Sequence, residues 1–241
     1  MQVEQSFFTG VQDVGENNEI TNKAILEALT NVTNVHGHRV GQSTGDENYV
    51  HLAWMVLNWK LQVIRRPKVC ETFTARTWAQ ECSKVFAARD FEVLDGTGVV
   101  CARATSKWTA ADHVKGTLVK LTSDIMDAYG CEPEHRNFPG FKFANLAHKN
   151  IPALSTTTFK ITKSMIDCND HVHNPAYLDL ACEALPEGLD RRHFDNVEVA
   201  YRKEIAPHAT VLLHYGEEDG KHYVFIKDES DSLVHAVVVL F

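Results

Sequence analysis

Apolar positions follow two rhythms along this chain. From Thr21 onward, Ile25, Leu26, Leu29 and Val32 recur at three-and-four spacing. That is the stripe of a helix with one buried face, and Thr21 or Asn22 is the predicted cap. Further on, Val100, Ala102, Ala104, Ser106 and Trp108 alternate with Arg103, Thr105 and Lys107, as a half-buried strand does. Turn signals such as Asp95-Gly96-Thr97-Gly98 separate runs of this period-two type. Between about 110 and 157 the pattern predicts a short amphipathic helix over Leu118–Tyr129, then a linker punctuated by Pro133, Pro139 and Pro152.

The two rhythms occur twice in the same order. GENNEITNKAILEAL from Gly15 resembles DCNDHVHNPAYLDLA from Asp167, an offset of 152. In the second copy Asn174 is the expected cap and Pro175 the first helical residue, where its missing N–H costs nothing. LNWKLQVIRRPKV from Leu57 aligns with VAYRKEIAPHATV from Val199 at an offset near 142, and the Asp95 turn aligns with the turn at Asp228, offset 133. Shrinking offsets mean shorter loops between the same elements. One helix followed by several long antiparallel strands, twice over, is an α+β pattern in which each sheet buries one face on its helix. The expected boundary lies near residue 145, separating residues 1–145 from residues 146–241.

Composition narrows the class. With 44% hydrophobic and 23% charged residues in 241, the chain resembles ordinary globular proteins and not a disordered or collagenous one. The net charge of 24 − 32 = −8 and the lack of any long basic run argue against nucleic-acid or anionic-membrane binding. No apolar stretch approaches the roughly 20 residues of a membrane span, so no membrane insertion is expected. Cys70, Cys82, Cys101, Cys131, Cys168 and Cys182 lack CxxC spacing, which predicts free thiols in a reducing compartment. MQVEQSFFTG is not a signal or transit peptide by its charge and apolar pattern, so a cytoplasmic location is the expectation.

The candidate chemistry sits in the second copy. Asp167, Asn169, His171 and His173 recur every second residue just before the second helix. If that segment is extended, they face one side, beside the positive end of the helix dipole and its unpaired amides, a place suited to polarising a carbonyl oxygen. Two other readings stand beside this one: plain turn and capping residues, or a metal site of His171, His173 and Asp167. The first copy carries Gly15, Asn17, Glu19 and Thr21 at the matching positions. Glu204 lies in a run, Val197 to Ile205, that reads as a strand with Glu204 on its more polar face. In the alignment its counterpart is Gln62, which confines the acid to the second copy; an exposed carboxylate paired with Arg202 is the alternative.

Three stretches carry a resemblance to the acyl-acyl carrier protein thioesterases. ARDFEVLDGTGVVCARATSKW, residues 88–108, resembles that family's Arg-Asp-aromatic strand, acidic turn and Arg-Ala-Thr-Ser-x-Trp strand. IDCNDHVHNPAYLDLACEALP, residues 166–186, resembles its D-x-N-x-H-V-x-N-x-x-Tyr segment, and VAYRKEI, residues 199–205, the strand that supplies a carboxylate. The resemblance implies a tandem double hotdog, each copy a long helix wrapped by an antiparallel sheet, with the first copy lining much of an acyl tunnel. It implies hydrolysis of the thioester between a fatty acyl chain and acyl carrier protein, with Asp167, Asn169, His171 and Glu204 as the catalytic set and no cofactor. Two positions depart from the pattern: Ile205 stands where plant members have Cys, and His173 where Asn is usual.

On that reading Glu204 takes a proton from the attacking water, while Asn169 and the helix amides hold the oxyanion. His171 polarises the reacting group and Asp167 orients it; which of Glu204 and Asp167 is the base stays open. Trp54, Met55 and Trp59 are candidates for blocking the tunnel, with core packing the commoner role. The expected partner is acyl carrier protein, which is acidic, and Arg65-Arg66-Pro67-Lys68 and Arg191-Arg192-His193 are candidate docking clusters. A homodimer is left open. An acyl-CoA thioesterase, a hotdog hydratase and a non-catalytic acyl-chain binding module are the competing readings.

Overall fold

The computed structural model describes residues 1–41, 52–112 and 115–241. The chain divides into two compact units, Met1–Ile20 with Ile25–Phe141, and Thr21–Ala24 with Lys142–Phe241. Among the described residues no helix is long and apolar enough to cross a membrane.

The first unit holds strand β1 (Gln2–Phe8), most of helix α1 (Asn22–Arg39), β2 (Leu52–Val63), β3 (Thr72–Cys82), β4 (Ala87–Leu94), β5 (Val100–Asp112), a two-residue β6 (Thr117–Leu118) and helix α2 (Ser123–Tyr129). Its strands run antiparallel in the order β1-β3-β4-β5-β2, with β6 on β5. Thr21 caps α1, its hydroxyl accepting from the amide of Ala24 at 3.2 Å. Ile25, Leu26, Leu29 and Val32 are all buried, so the three-and-four stripe marks the inner face as expected. The alternation in β5 holds from Ala102 to Trp108 and then gives way to Thr109, Ala110 and Ala111, buried on both faces.

Two expectations in this unit need correction. Helix α2 begins at Ser123 and not at Leu118, because Leu118 pairs with Ala111 and Val119 donates to the Ala110 carbonyl. The backbone there adds to the edge of β5 before it can coil. The linker also starts later than its prolines suggest. Glu132 donates to Ala79, Trp78 Nε1 donates to the His135 carbonyl at 2.7 Å, and the His135 ring stacks on Trp78 at 4.2 Å. Asn137 then donates its amide to Asp90 Oδ2 at 2.6 Å and its side chain to the Phe91 carbonyl at 2.6 Å. These bonds strap residues 132–137 along β3 and β4. Burial raises the Asp90 carboxyl above the usual range, and the Thr105 and Asn137 hydrogen bonds oppose that.

The second unit holds β7 (Ser155–Lys160), α3 (Tyr177–Ala184), β8 (Asn196–Tyr201), β9 (Thr210–Glu218), β10 (Lys221–Asp228) and β11 (Val234–Leu240). Its sheet is antiparallel in the order β8-β11-β10-β9-β7. The hairpin turns at Asp95 and Asp228 are built alike. Asp95 Oδ1 accepts from the amides of Thr97 and Val99, and Asp228 Oδ1 from those of Ser232 and Leu233. Hydrogen bonds hold both carboxyls down to about 2, led by the Thr97 hydroxyl for Asp95 and the Ser230 hydroxyl for Asp228.

The stripe of α1 ends on His36, which is fully buried. Its Nδ1 lies 2.9 Å from Arg89 Nη1, which also donates to Thr77 Oγ1 at 3.2 Å. An arginine has no acceptor to offer, so His36 Nδ1 must carry the lone pair and the imidazole must be neutral. Burial first, and the Arg89 charge second, depress its pKa from 6.5 to about 3. The unfolded chain takes up this proton below pH 6.5 while the folded one waits until about 3. Stability is therefore complete above 6.5 and falls with pH through that window, with a slope approaching about 1.4 kcal/mol per pH unit. Urea midpoints measured at several pH values for wild type and His36→Gln should show a shallower acid slope in the variant; identical slopes would refute a neutral buried His36.

Candidate active site

The polar segment before α3 is a tight turn and not an extended strand. Ile166 and Val172 form a bridge, Asp167 donates its amide to the His171 carbonyl at 2.9 Å, and Asp170 donates back to Asp167 at 3.1 Å. Asp167 Oδ1 accepts from the Asn169 amide at 2.8 Å, and Asp170 sits at φ 63°. Asp and Asn favour this conformation because a short polar side chain can close the turn on its own backbone. The period-two spacing of Asp167, Asn169, His171 and His173 thus reflects a turn closed by Asp167, so those side chains do not share the face of a strand.

The helix start also differs from expectation. His173 is the N-cap of a 3-10 turn, Asn174–Ala176, which runs into α3, and the Asn174 side chain makes no capping bond. Ala176 donates to His173, Tyr177 donates to Asn174, and Pro175 has no amide proton. The amides of Ala176 and Tyr177 are therefore spent within the turn.

Glu204 lies beyond its strand. Strand β8 stops at Tyr201 because Arg202 and Lys203 both donate to the single carbonyl of His235, at 2.8 and 3.2 Å, which breaks the ladder. After this break Ile205 turns inward and is fully buried, while Glu204 is exposed. The Val172 amide donates to the Ile205 carbonyl at 3.1 Å. That bond brings the Asp167 turn and the residue after Glu204 together. Burial first, and the charges of Glu204 and Asp167 with it, raise the Tyr177 hydroxyl above the ordinary tyrosine range. Tyr177 is the Tyr that closes the D-x-N-x-H-V-x-N-x-x-Tyr segment, a position with no role assigned from the sequence.

Among the described residues, the side chains of Asn169, His171 and Glu204 have no protein hydrogen-bond partner, whereas one Asp167 oxygen is held in the turn. Asp167 and His171 are half-buried, and Asn169 and Glu204 exposed. His173 is half-buried and its amide donates to Met165 at 2.8 Å. No group of three metal-ligand side chains exists among the described residues, so His171, His173 and Asp167 do not form one.

The first unit contains the same backbone turn without the same side chains. Val14 bridges Ile20, Gly15 donates to Glu19, and Asn18 sits at φ 57°, each 152 residues before its counterpart. Ile64 and Arg65 both donate to Cys101, as Arg202 and Lys203 do to His235, and Ile20 donates to Pro67 as Val172 does to Ile205. These bonds set the offset at 138 and make Arg66, not Gln62, the counterpart of Glu204. A four-residue slip keeps every side chain on the same face, so alternation alone does not detect it. Arg66 is buried and donates to the Ile20 carbonyl at 3.0 Å, and Arg65 pairs with Glu71 and Asp95 at 3.2 Å each. Arg65 and Arg66 are thus engaged within their own unit, while Lys68 is exposed.

Residues 1–129 match the acyl-ACP thioesterase N-terminal domain and residues 148–236 the acyl-ACP thioesterase C-terminal domain. Oleoyl-acyl carrier protein thioesterase 2, chloroplastic, of Arabidopsis thaliana is 29% identical over 217 residues, covering 83% of this chain and 59% of its own. The chain thus spans about three-fifths of the length of that relative. An acyl-ACP thioesterase structure from Bacteroides thetaiotaomicron superposes with a TM-score of 0.86 at 21% identity, covering 100% of this chain and 97% of that one. The 12:0-ACP thioesterase from Umbellularia californica superposes at 0.81 with 18% identity, covering 99% and 96%. Matched by the family's two domains in order and sharing its fold, this chain belongs to the acyl-ACP thioesterase family.

Proposed function

We propose that this protein hydrolyses the thioester joining a fatty acyl chain to acyl carrier protein, releasing free fatty acid and ending chain elongation. The observation that carries the proposal is the Val172–Ile205 hydrogen bond, which ties Glu204 to the Asp167 turn while the Glu204 carboxylate keeps no protein hydrogen bond. Family membership and the names of the relatives support the substrate class. The proposal includes a tandem pair of hotdog copies, residues 1–145 binding the acyl chain and residues 146–241 carrying the chemistry.

In the mechanism Glu204 accepts a proton from water as its oxygen attacks the thioester carbonyl carbon. The Asn169 amide donates to the resulting oxyanion, an interaction often worth a few kcal/mol. The C–S bond then breaks, and the leaving sulfur takes the proton that Glu204 holds. His171 borders the site and hydrogen-bonds the reacting group. Asp167, engaged by the Asn169 backbone, holds the turn in shape, which favours Glu204 over Asp167 as the base. Ile205 offers no nucleophile, so no covalent cysteine step takes place at that position.

The acidic carrier finds cations beside this turn. Lys160, Lys163, Arg202 and Lys203 are exposed and make no ion pair among the described residues. Lys163 opens the 3-10 turn that ends in Met165, whose carbonyl accepts from His173, and Arg202 and Lys203 directly precede Glu204. In a chain of net charge −8 these unpaired cations are the local complement to an acidic partner.

Thiol release from acyl carrier protein and CoA thioesters should fall by about two to four orders of magnitude in Glu204→Gln, the range for a general base. Full activity in that variant with loss in Asp167→Asn would reverse the assignment. The combined Lys163→Glu and Lys203→Glu variant should raise KM for the carrier-protein substrate roughly tenfold and weaken its salt dependence, with little change for acyl-CoA. A salt-independent KM would count against a cationic docking rim.

A further inference from the structure

Strand β11 meets the segment before Glu204 through one residue, His235, which is buried. Its carbonyl accepts the amides of both Arg202 and Lys203. Its ring reaches the same segment, with Nδ1 3.2 Å from the Lys203 carbonyl oxygen. A carbonyl can only accept, so Nδ1 carries the proton and donates it. That carbonyl belongs to the peptide joining Lys203 to Glu204. On the other side of Glu204, the Ile205 carbonyl accepts from Val172 at 3.1 Å. Glu204 is thus held between two anchored points, one on β11 and one on the Asp167 turn. Anchoring the backbone on both sides restricts the direction in which its carboxylate leaves the chain.

We propose that His235 is a positioning residue for the thioesterase reaction, its imidazole holding the Lys203–Glu204 peptide so that Glu204 is presented beside the Asp167 turn. This rests on the assignment of Glu204 as the base. The first unit makes the same break in its ladder without an imidazole. There Cys101 takes the place of His235, its carbonyl accepting from Ile64 and Arg65, while its thiol turns to the Val99 carbonyl at 3.7 Å. The break itself therefore needs only the backbone carbonyl, and the ring donor is an addition found in the unit that carries the carboxylate. Arg66, the counterpart of Glu204, is placed by its own bond to the Ile20 carbonyl. Glu204 has no such bond of its own, so its placement falls to the backbone that His235 and Val172 hold.

The test compares His235→Leu with His235→Asn in the full chain. Leucine removes the ring donor and leaves the backbone carbonyl, whereas the asparagine amide restores a donor close to the place of Nδ1. On acyl carrier protein thioesters, kcat should fall about tenfold in His235→Leu with KM within about twofold, the signature of a lost transition-state arrangement and not of lost binding. In His235→Asn kcat should recover to within about threefold of wild type. Unchanged kcat in His235→Leu, or an equal loss in both variants, overturns the proposal. If His235→Leu does not fold, nitrogen NMR of the wild-type imidazole decides: Nδ1 should be protonated, and a neutral ring with its proton on Nε2 overturns the proposal. If the wild-type chain hydrolyses no thioester, the functional reading fails on its own, and the positioning claim is decided by carbon NMR of the Glu204 carboxyl. That resonance should move in His235→Leu and return in His235→Asn; a resonance unmoved in both overturns the claim.

Discussion

The Val172 amide gives its proton to the Ile205 carbonyl, and the candidate site depends on that bond. Ile205 is fully buried, so no water can replace either partner. Its net contribution is of the usual order of 1 kcal/mol, but leaving the carbonyl unpaired would cost about 1–3 kcal/mol, and this asymmetry fixes the geometry. The turn that supplies Asn169 and His171 cannot move away from Glu204 without exposing or orphaning this pair. Asp167 closes the turn with its own carboxylate, and the break after Tyr201 lets Glu204 leave the sheet and reach solvent.

The first unit shows how little of this architecture is chemistry. It carries the same turn, the same doubled donation to one carbonyl and the same bond from turn to strand end. In place of Asp167, His171 and Glu204 stand Gly15, Glu19 and Arg66, and Arg66 is folded inward onto the Ile20 carbonyl. A buried guanidinium occupying that place is incompatible with a general base there. The backbone scaffold is common to both units while the side chains differ, which is why the functional reading falls on the second unit alone.

Polar burial in the first unit serves structure. Arg89 is buried between His36, Thr77 and the Tyr129 ring, and burial draws its pKa to about 10 without discharging it near neutral pH. A neutral His36 makes that tolerable, and the penalty for protonating it ties the stability of the unit to pH. Trp59, whose ring tilts against Phe91 at 4.8 Å, is core, and Trp54 is half-buried with Met55 exposed. Core packing is what the structure shows for Trp59, whose ring lies against Phe91 and Trp108.

Much of this was legible in residue order. The α1 stripe, the alternation of β5, the acidic turns and the 152-residue match follow from local periodicity and turn chemistry, which act over a few residues and leave their mark in the string. The identity of Asn169, His171 and Glu204 as unusual polar groups was legible for the same reason. Three matters were decided only in three dimensions. The Asp167 segment reads as extended because its polar spacing is two, yet a side-chain bond from Asp167 closes it into a turn. Arg66 replaces Gln62 as the counterpart of Glu204 because a slip of four residues preserves the face and only the hydrogen-bond ladder counts it. The meeting of the turn and Glu204 spans 38 residues and rests on where β8 ends, and that depends on His235, a strand partner distant in the chain. Local order determined the elements and their chemistry; non-local hydrogen bonds decided which of those groups face one another.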